Sequence, residues 1–130
     1  MVVDTSAVIA ILMGEVEASR IASALAADSR RLISSFSSLE TAIVIEARKG
    51  SAGAHAWELL QIEIALDVVP FTVGQQLLAA EAWRRFGKGR HQAALNIGDC
   101  CAYALARHTG EPLLYKGTDF AHTDVASVPW

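Results

Sequence analysis

At 130 residues the chain has the size of one domain able to bury a core, and 52% hydrophobic against 19% charged residues excludes a disordered polypeptide. The aromatic share of 7% fits a core of Ala, Leu, Val and Ile, and nothing in the length suggests a second domain, so residues 1–130 are expected to form a single unit. The net charge of −3 argues against a nucleic-acid partner, yet Arg84, Arg85, Lys88 and Arg90 gather in RRFGKGRH, leaving seven basic side chains against fourteen acidic ones elsewhere.

In chain order, Met1 to Asp4 reads as a short apolar strand ending in a carboxylate. Ser6 to Leu12 and Glu15 to Ala27 have helical composition, with Gly14 as the break between them. The apolar stretch Ala7 to Met13 lacks a basic leader and falls well short of the roughly 20 residues that span a bilayer, so neither export nor membrane insertion is expected. Arg31 to Ser35 is a second strand. The segment SSLETAIVIEARKG repeats Leu39, Ile43 and Ala47 at helical spacing, with Gly50 as its stop.

Ala54 to Leu66 predicts a further helix, Asp67 to Pro70 a third strand, and Val73 to Phe86 a helix with Gln76 and Arg84 on its polar face. Gly87 and Gly89 then open a flexible loop. Gly98 and Asp99 start the helical run DCCAYALARH, Gly110 ends it, and Pro112 leads into the strand LLYK, with Ala126 to Val128 as one last strand. The adjacent Cys100 and Cys101 fit neither a C-x-x-C motif nor an ordinary disulfide, which points to a reducing cytoplasm. Strands separated by helices imply parallel pairing, right-handed crossovers and helices on both faces of the sheet. Ligands of such sheets bind at the carboxyl ends of the strands.

Four acids fall at such ends. Asp4 closes the first strand, Glu40 lies in the first turn of the helix after the second, Asp99 starts the helix before LLYK, and Asp119 follows that strand in KGTDF. Clustered carboxylates repel one another and call for protons or a bound cation. Magnesium, a hard cation that takes one or two carboxylates directly and keeps several waters, suits such a group and can activate water against a phosphodiester. Each acid also has a plain structural reading. Ser37 and Glu40 have capping-box spacing, Asp99 could cap its helix and Asp119 could form a turn; Asp4, set against an apolar strand, is hardest to explain in that way.

Ser6 could orient a metal-bound water or a phosphate, or cap its helix, and Asn96 could position the loop that presents Asp99. The basic stripe, carried on by His91, reads either as a surface for RNA phosphates or as a solvated helix end. His55, His108 and His122 lack zinc spacing.

Taken together, MVVDTSA, ETAIVIEARKG, GKGRHQAALNIGDCCAYALA and PLLYKGTDF resemble the VapC branch of the PIN-domain family, from Met1 to about Asp124. The resemblance implies a PIN-like α/β/α sandwich with a central parallel β-sheet, in which Asp4, Glu40, Asp99 and Asp119 match the family's acidic quartet. Asp4 and Asp99 match its metal ligands, while Glu40 and Asp119 would hold waters of the metal shell or a second ion. It further implies a Mg2+-dependent endoribonuclease toxin, with Mn2+ as the alternative ion, that cleaves structured transfer or ribosomal RNA. Its partners would be a VapB-type antitoxin that covers the site and a second copy in a homodimer. Arg85, Lys88, Arg90 and His91 would contact RNA.

Three rivals stand beside this reading. A haloacid-dehalogenase-type phosphotransferase needs a second Asp where Ser6 stands. A phosphoacceptor receiver module would use Lys116, but expects its acceptor Asp after a central strand, where Pro70 follows instead. The third is a PIN fold that has lost catalysis and serves as a protein-binding scaffold.

Overall fold

A computed structural model describes all 130 residues. The sheet has four short strands, β1 (Val2–Val3), β2 (Leu32–Ser34), β3 (Asp67–Val69) and β4 (Leu113–Leu114), in the order β3-β2-β1-β4. Every pairing is parallel: Val2 faces Leu32 and Leu113, Val3 faces Leu114, and Leu32, Ile33 and Ser34 face Asp67, Val68 and Val69. Five helices connect and cover the strands: α1 (Thr5–Met13), α2 (Ala18–Ala27), α3 (Ser35–Glu63), α4 (Val73–Phe86) and α5 (Ile97–Thr109). No helix is long and apolar enough to cross a membrane.

Alternation along the strands divides the core into two layers. Val2, Leu32 and Leu113 point to one face, where they meet Ala82 and Phe86 of α4 and Ala102, Tyr103 and Leu105 of α5. Val3, Ile33 and Leu114 point to the other, against Val8 of α1, Ile21 and Leu25 of α2, and Ile45 and Trp57 of α3. β1, β2 and β4 are covered on both faces, which is why they read as short apolar runs in the sequence, whereas β3 at the sheet edge leaves Asp67 and Val68 exposed.

Several sequence expectations change in detail. α3 starts at Ser35, directly off β2 with Ser34 as its N-cap, so Glu40 lies in the second helical turn and Ser37 is a buried interior residue rather than a cap. Its stripe Leu39, Ile43 and Ala47 faces outward, with Leu39 and Ile43 each 60% exposed, and the buried side is Ser37, Thr41 and Ile45. The small inner residues let the helix lie close to its neighbours, and Thr41 Oγ1 satisfies itself on the Ser37 carbonyl at 2.8 Å. Periodicity identifies the helix but not which face turns inward.

Gly50 interrupts α3 with φ 62° and ψ −153°, a conformation open essentially to glycine alone, and a second helical run follows at once. The segment after α4 is a closed turn rather than an open loop: the Lys88 and Leu95 N–H groups donate to the Leu95 and Phe86 carbonyls, both at 3.0 Å. The tail forms a single parallel bridge from Ser127 to Leu113 beside β4, short of a strand.

Candidate active site

The carboxyl ends of β1, β2 and β4 and the start of α5 bring the acids together. Asp4 follows β1 and is only 3% exposed, which for an aspartate demands partners. It acts as the N-cap of α1: its Oδ2 accepts from the Ser6 N–H at 2.9 Å and from the Ser6 hydroxyl at 2.5 Å. The same hydroxyl accepts from the Lys116 N–H at 2.9 Å, so Ser6 ties Asp4 to the chain leaving β4. The helix cap expected of Ser6 is therefore supplied by Asp4.

Asp99 is the third residue of α5 and Asn96 its N-cap, in a reciprocal capping box. Asn96 Oδ1 accepts from the Asp99 N–H at 3.0 Å, and Asp99 Oδ2 accepts from the Asn96 N–H at 2.7 Å. Asn96 and Asp99 therefore hold each other at the start of α5. Glu40 reaches in from α3, with Thr5 Oγ1 donating to its Oε2 at 2.6 Å. Asp119 follows β4 at the start of a short 3-10 turn, Phe120–His122, and is exposed, with no side-chain cap bond.

Electrostatics show that these groups share one neighbourhood. Burial raises the Asp99 pKa to about 7; the Asn96 N–H opposes this, and the negative charges of Asp4, Asp119 and Glu40 add to it. Burial also raises Asp4 above the ordinary aspartate value, against the stabilising hydrogen bonds from Ser6 and with a further upward push from Glu40. An all-oxygen group of mutually repelling carboxylates suits a hard divalent cation. No three acidic, His or Cys groups converge on one coordination point. A Mg2+-type ion needs no such convergence, since it takes one or two carboxylates directly and reaches others through water.

An open apolar hollow of about 460 Å³ adjoins the acids, lined among others by Phe36, Phe71, Trp83, Lys88, Asn96 and Ile97. Of the basic stripe, Lys88 lines it. Arg85 is bound to Asp124 at 2.8 Å and lies over the Phe86 ring, and Asp124 also accepts from the Tyr103 hydroxyl at 2.6 Å. Arg90 stacks on Trp83 at 4.2 Å, Lys88 takes no part in an ion pair, and His91 Nδ1 accepts from the Ala93 N–H. Lys116 turns away from the acids to pair with Glu15 and with Glu17, the latter at 2.9 Å, which removes the side chain that a receiver module would require at its acidic pocket.

Two neighbours of the acids carry no assignment in the sequence. Thr5 is visible in D-T-S-A without a role, and Gly98 shows only as a helix start. Both contact Glu40 from distant parts of the chain, and no local pattern announces that.

Comparison with known proteins agrees with this architecture. The PIN domain family model matches residues 1–126. Ribonuclease VapC30 of Mycobacterium tuberculosis is 50% identical over 128 residues, covering 98% of both chains. Ribonuclease VapC of Mycolicibacterium smegmatis is 48% identical, covering 98% of this chain and 99% of its own. Among solved structures, Mycobacterium tuberculosis VapC20, described as a sarcin-ricin loop cleaving toxin, superposes with a TM-score of 0.81 at 20% identity, over 99% of this chain and 98% of its own. A chain of a toxin-antitoxin complex from Klebsiella pneumoniae gives 0.73 at 16% identity, over 99% and 97%. With the family model spanning nearly the whole sequence and relatives at half identity along its length, the chain belongs to the PIN-domain family, among the VapC ribonucleases.

Proposed function

We propose that this single PIN domain is a Mg2+-dependent endoribonuclease toxin that hydrolyses structured RNA, transfer or ribosomal, in the cytoplasm. PIN-domain ribonucleases in general depend on a divalent cation. The observation that carries the reading here is the gathering of Asp4, Glu40, Asp99 and Asp119 at the carboxyl edge of the sheet, where burial and the neighbouring charges raise the Asp99 carboxyl to about 7. A carboxylate so disfavoured as an anion is poised to exchange its proton for a cation.

Asp4 and Asp99 are the proposed direct ligands, each held by its own cap, and Glu40 and Asp119 orient water around them. The bound ion supplies a lowered pKa for water and positive charge for the phosphodiester oxygens. Ser6 keeps Asp4 aimed by bonding both it and the Lys116 backbone. Asn96 does the same for Asp99. Lys88, Arg90 and His91 form the proposed phosphate-contacting surface, while Arg85, paired with Asp124, fastens α4 to the segment after Phe120.

One structural neighbour is a loop-cleaving toxin and another is part of a toxin-antitoxin complex, which supports a VapB-type antitoxin as partner. The apolar hollow beside the acids suits the apolar side chains of such a segment, and the acids suit its Arg or Lys. A homodimer is part of the same proposal.

The test is incubation of total cellular RNA with purified protein, in Mg2+, in chelator, and with Asp99→Asn as the matched control. Discrete fragments should arise only with metal and the wild-type acid. Folded, antitoxin-free protein that cleaves nothing in Mg2+ or Mn2+ would instead support a scaffold without catalysis.

A further inference from the structure

Glycine inside a helix is less favourable than alanine, because ordering its backbone costs more entropy. Gly98 nevertheless holds the second position of α5, buried, with a backbone outside the left-handed region. No conformational need explains it. Its surroundings do: a Cβ placed on Gly98 would stand 2.7 Å from Glu40 Oε1, 2.8 Å from Oε2 and 3.0 Å from the carboxyl carbon. Its three nearest neighbours would all be atoms of that one carboxylate. Thr5 holds the same group through its 2.6 Å hydrogen bond to Oε2.

We propose that Gly98 is a positioning residue for cation binding: its missing side chain, with the Thr5 hydroxyl, forms the seat that keeps the Glu40 carboxylate at the start of α5 beside Asp99. The inference rests on the reading of the four acids as a divalent-cation site. The partial positive charge of the helix start favours a carboxylate at that place. Glu40 ends a flexible side chain, so the protein can accommodate a methyl group at position 98 by letting the carboxylate swing out. The carboxylate then no longer stands beside Asp99. Gly98→Ala should therefore move stability and cation affinity in opposite directions, which a merely structural glycine would not do.

The experiment measures Mn2+ binding by calorimetry, and thermal unfolding in metal-free buffer, for wild type, Gly98→Ala, Glu40→Ala and the double variant. Gly98→Ala should unfold at the wild-type temperature or above, while its Mn2+ dissociation constant rises on the order of 10–100-fold. The double variant should bind no more weakly than Glu40→Ala alone, because the methyl group added at position 98 then meets no carboxylate. Thr5→Val should weaken binding as well, and Thr5→Ser, which keeps the hydroxyl, should restore it.

Wild-type affinity in Gly98→Ala overturns the proposal, and so does a further loss in the double variant or a marked fall in unfolding temperature. Absence of Mn2+ binding by the wild type itself is a different failure: it removes the cation-site reading on which the seat depends.

Discussion

Asp99 keeps its proton at a pH where an ordinary aspartate has lost it, and that has a measurable sign. Its carboxyl sits at about 7 in the folded protein against 3.8 for the free group. Between those values the folded state binds a proton that the unfolded state does not, so stability is greatest below about pH 4 as far as this group is concerned. It falls as the pH rises through about 7. Asp4 is shifted in the same direction. Metal-free protein should thus unfold at lower temperature at pH 8 than at pH 5. Asp99→Asn should reduce that slope and exceed the wild type at pH 8, since the amide oxygen can still accept from the Asn96 N–H and preserve the cap. Cation and proton compete for the same oxygen, so Mg2+ affinity should be weaker at pH 6 than at pH 8, with protons released on binding. Unfolding scans and calorimetry in two buffers check both. An unchanged slope in Asp99→Asn would assign the titration to another group.

At the level of elements, Gly50 is where backbone conformation alone is at stake. Nothing lies within 4 Å of a Cβ placed there, so an added methyl meets open space. Gly50→Ala should still cost about 1–3 kcal/mol, read from urea unfolding, because φ 62° with ψ −153° strains any residue with a side chain. The rate of RNA cleavage per folded molecule should not change. The sequence marks Gly50 as a stop correctly, but the immediate restart of the helix depends on how Trp57 and Ile45 pack on the same layer, which is a tertiary fact. The same distinction separates what is legible from what is not. Val73 to Phe86 is legible to the residue, since a capping threonine precedes the run and a glycine follows it. Asp4, Asp99 and Asn96 are legible because strand ends and caps leave local signals. The inward face of α3 is not, since small hydroxyl residues face inward and Leu39 and Ile43 face out, against the usual meaning of an apolar stripe. Neither is the contact of Thr5 and Gly98 with Glu40, which joins three segments that only the parallel sheet brings together.

Over the whole molecule, the charge arrangement decides how an acidic protein could hold RNA. The closed turn after α4 returns to the start of α5 through the bridge between Gly87 and Leu95, so Lys88 and Asn96, the cap that holds Asp99, line one hollow. The stripe is not uniform, however. Arg85 is drawn into a cluster with Asp124, which also bonds Tyr103 and lies 4.0 Å from Arg107, while Lys88 has no carboxylate partner. Only a cation that is free before binding releases phosphate counterions in full. With Asp99→Asn as a non-cleaving background, Lys88→Ala should weaken RNA binding and make the slope of log affinity against log salt shallower by about one. Arg85→Ala should leave that slope nearly intact and instead lower the unfolding temperature, because it deprives Asp124 of a charged partner and loosens the joint between α4 and the segment after Phe120. Fluorescence anisotropy across a salt series distinguishes the two. Equal slope changes would return Arg85 to the phosphate surface and make its pairing with Asp124 a contact that RNA displaces.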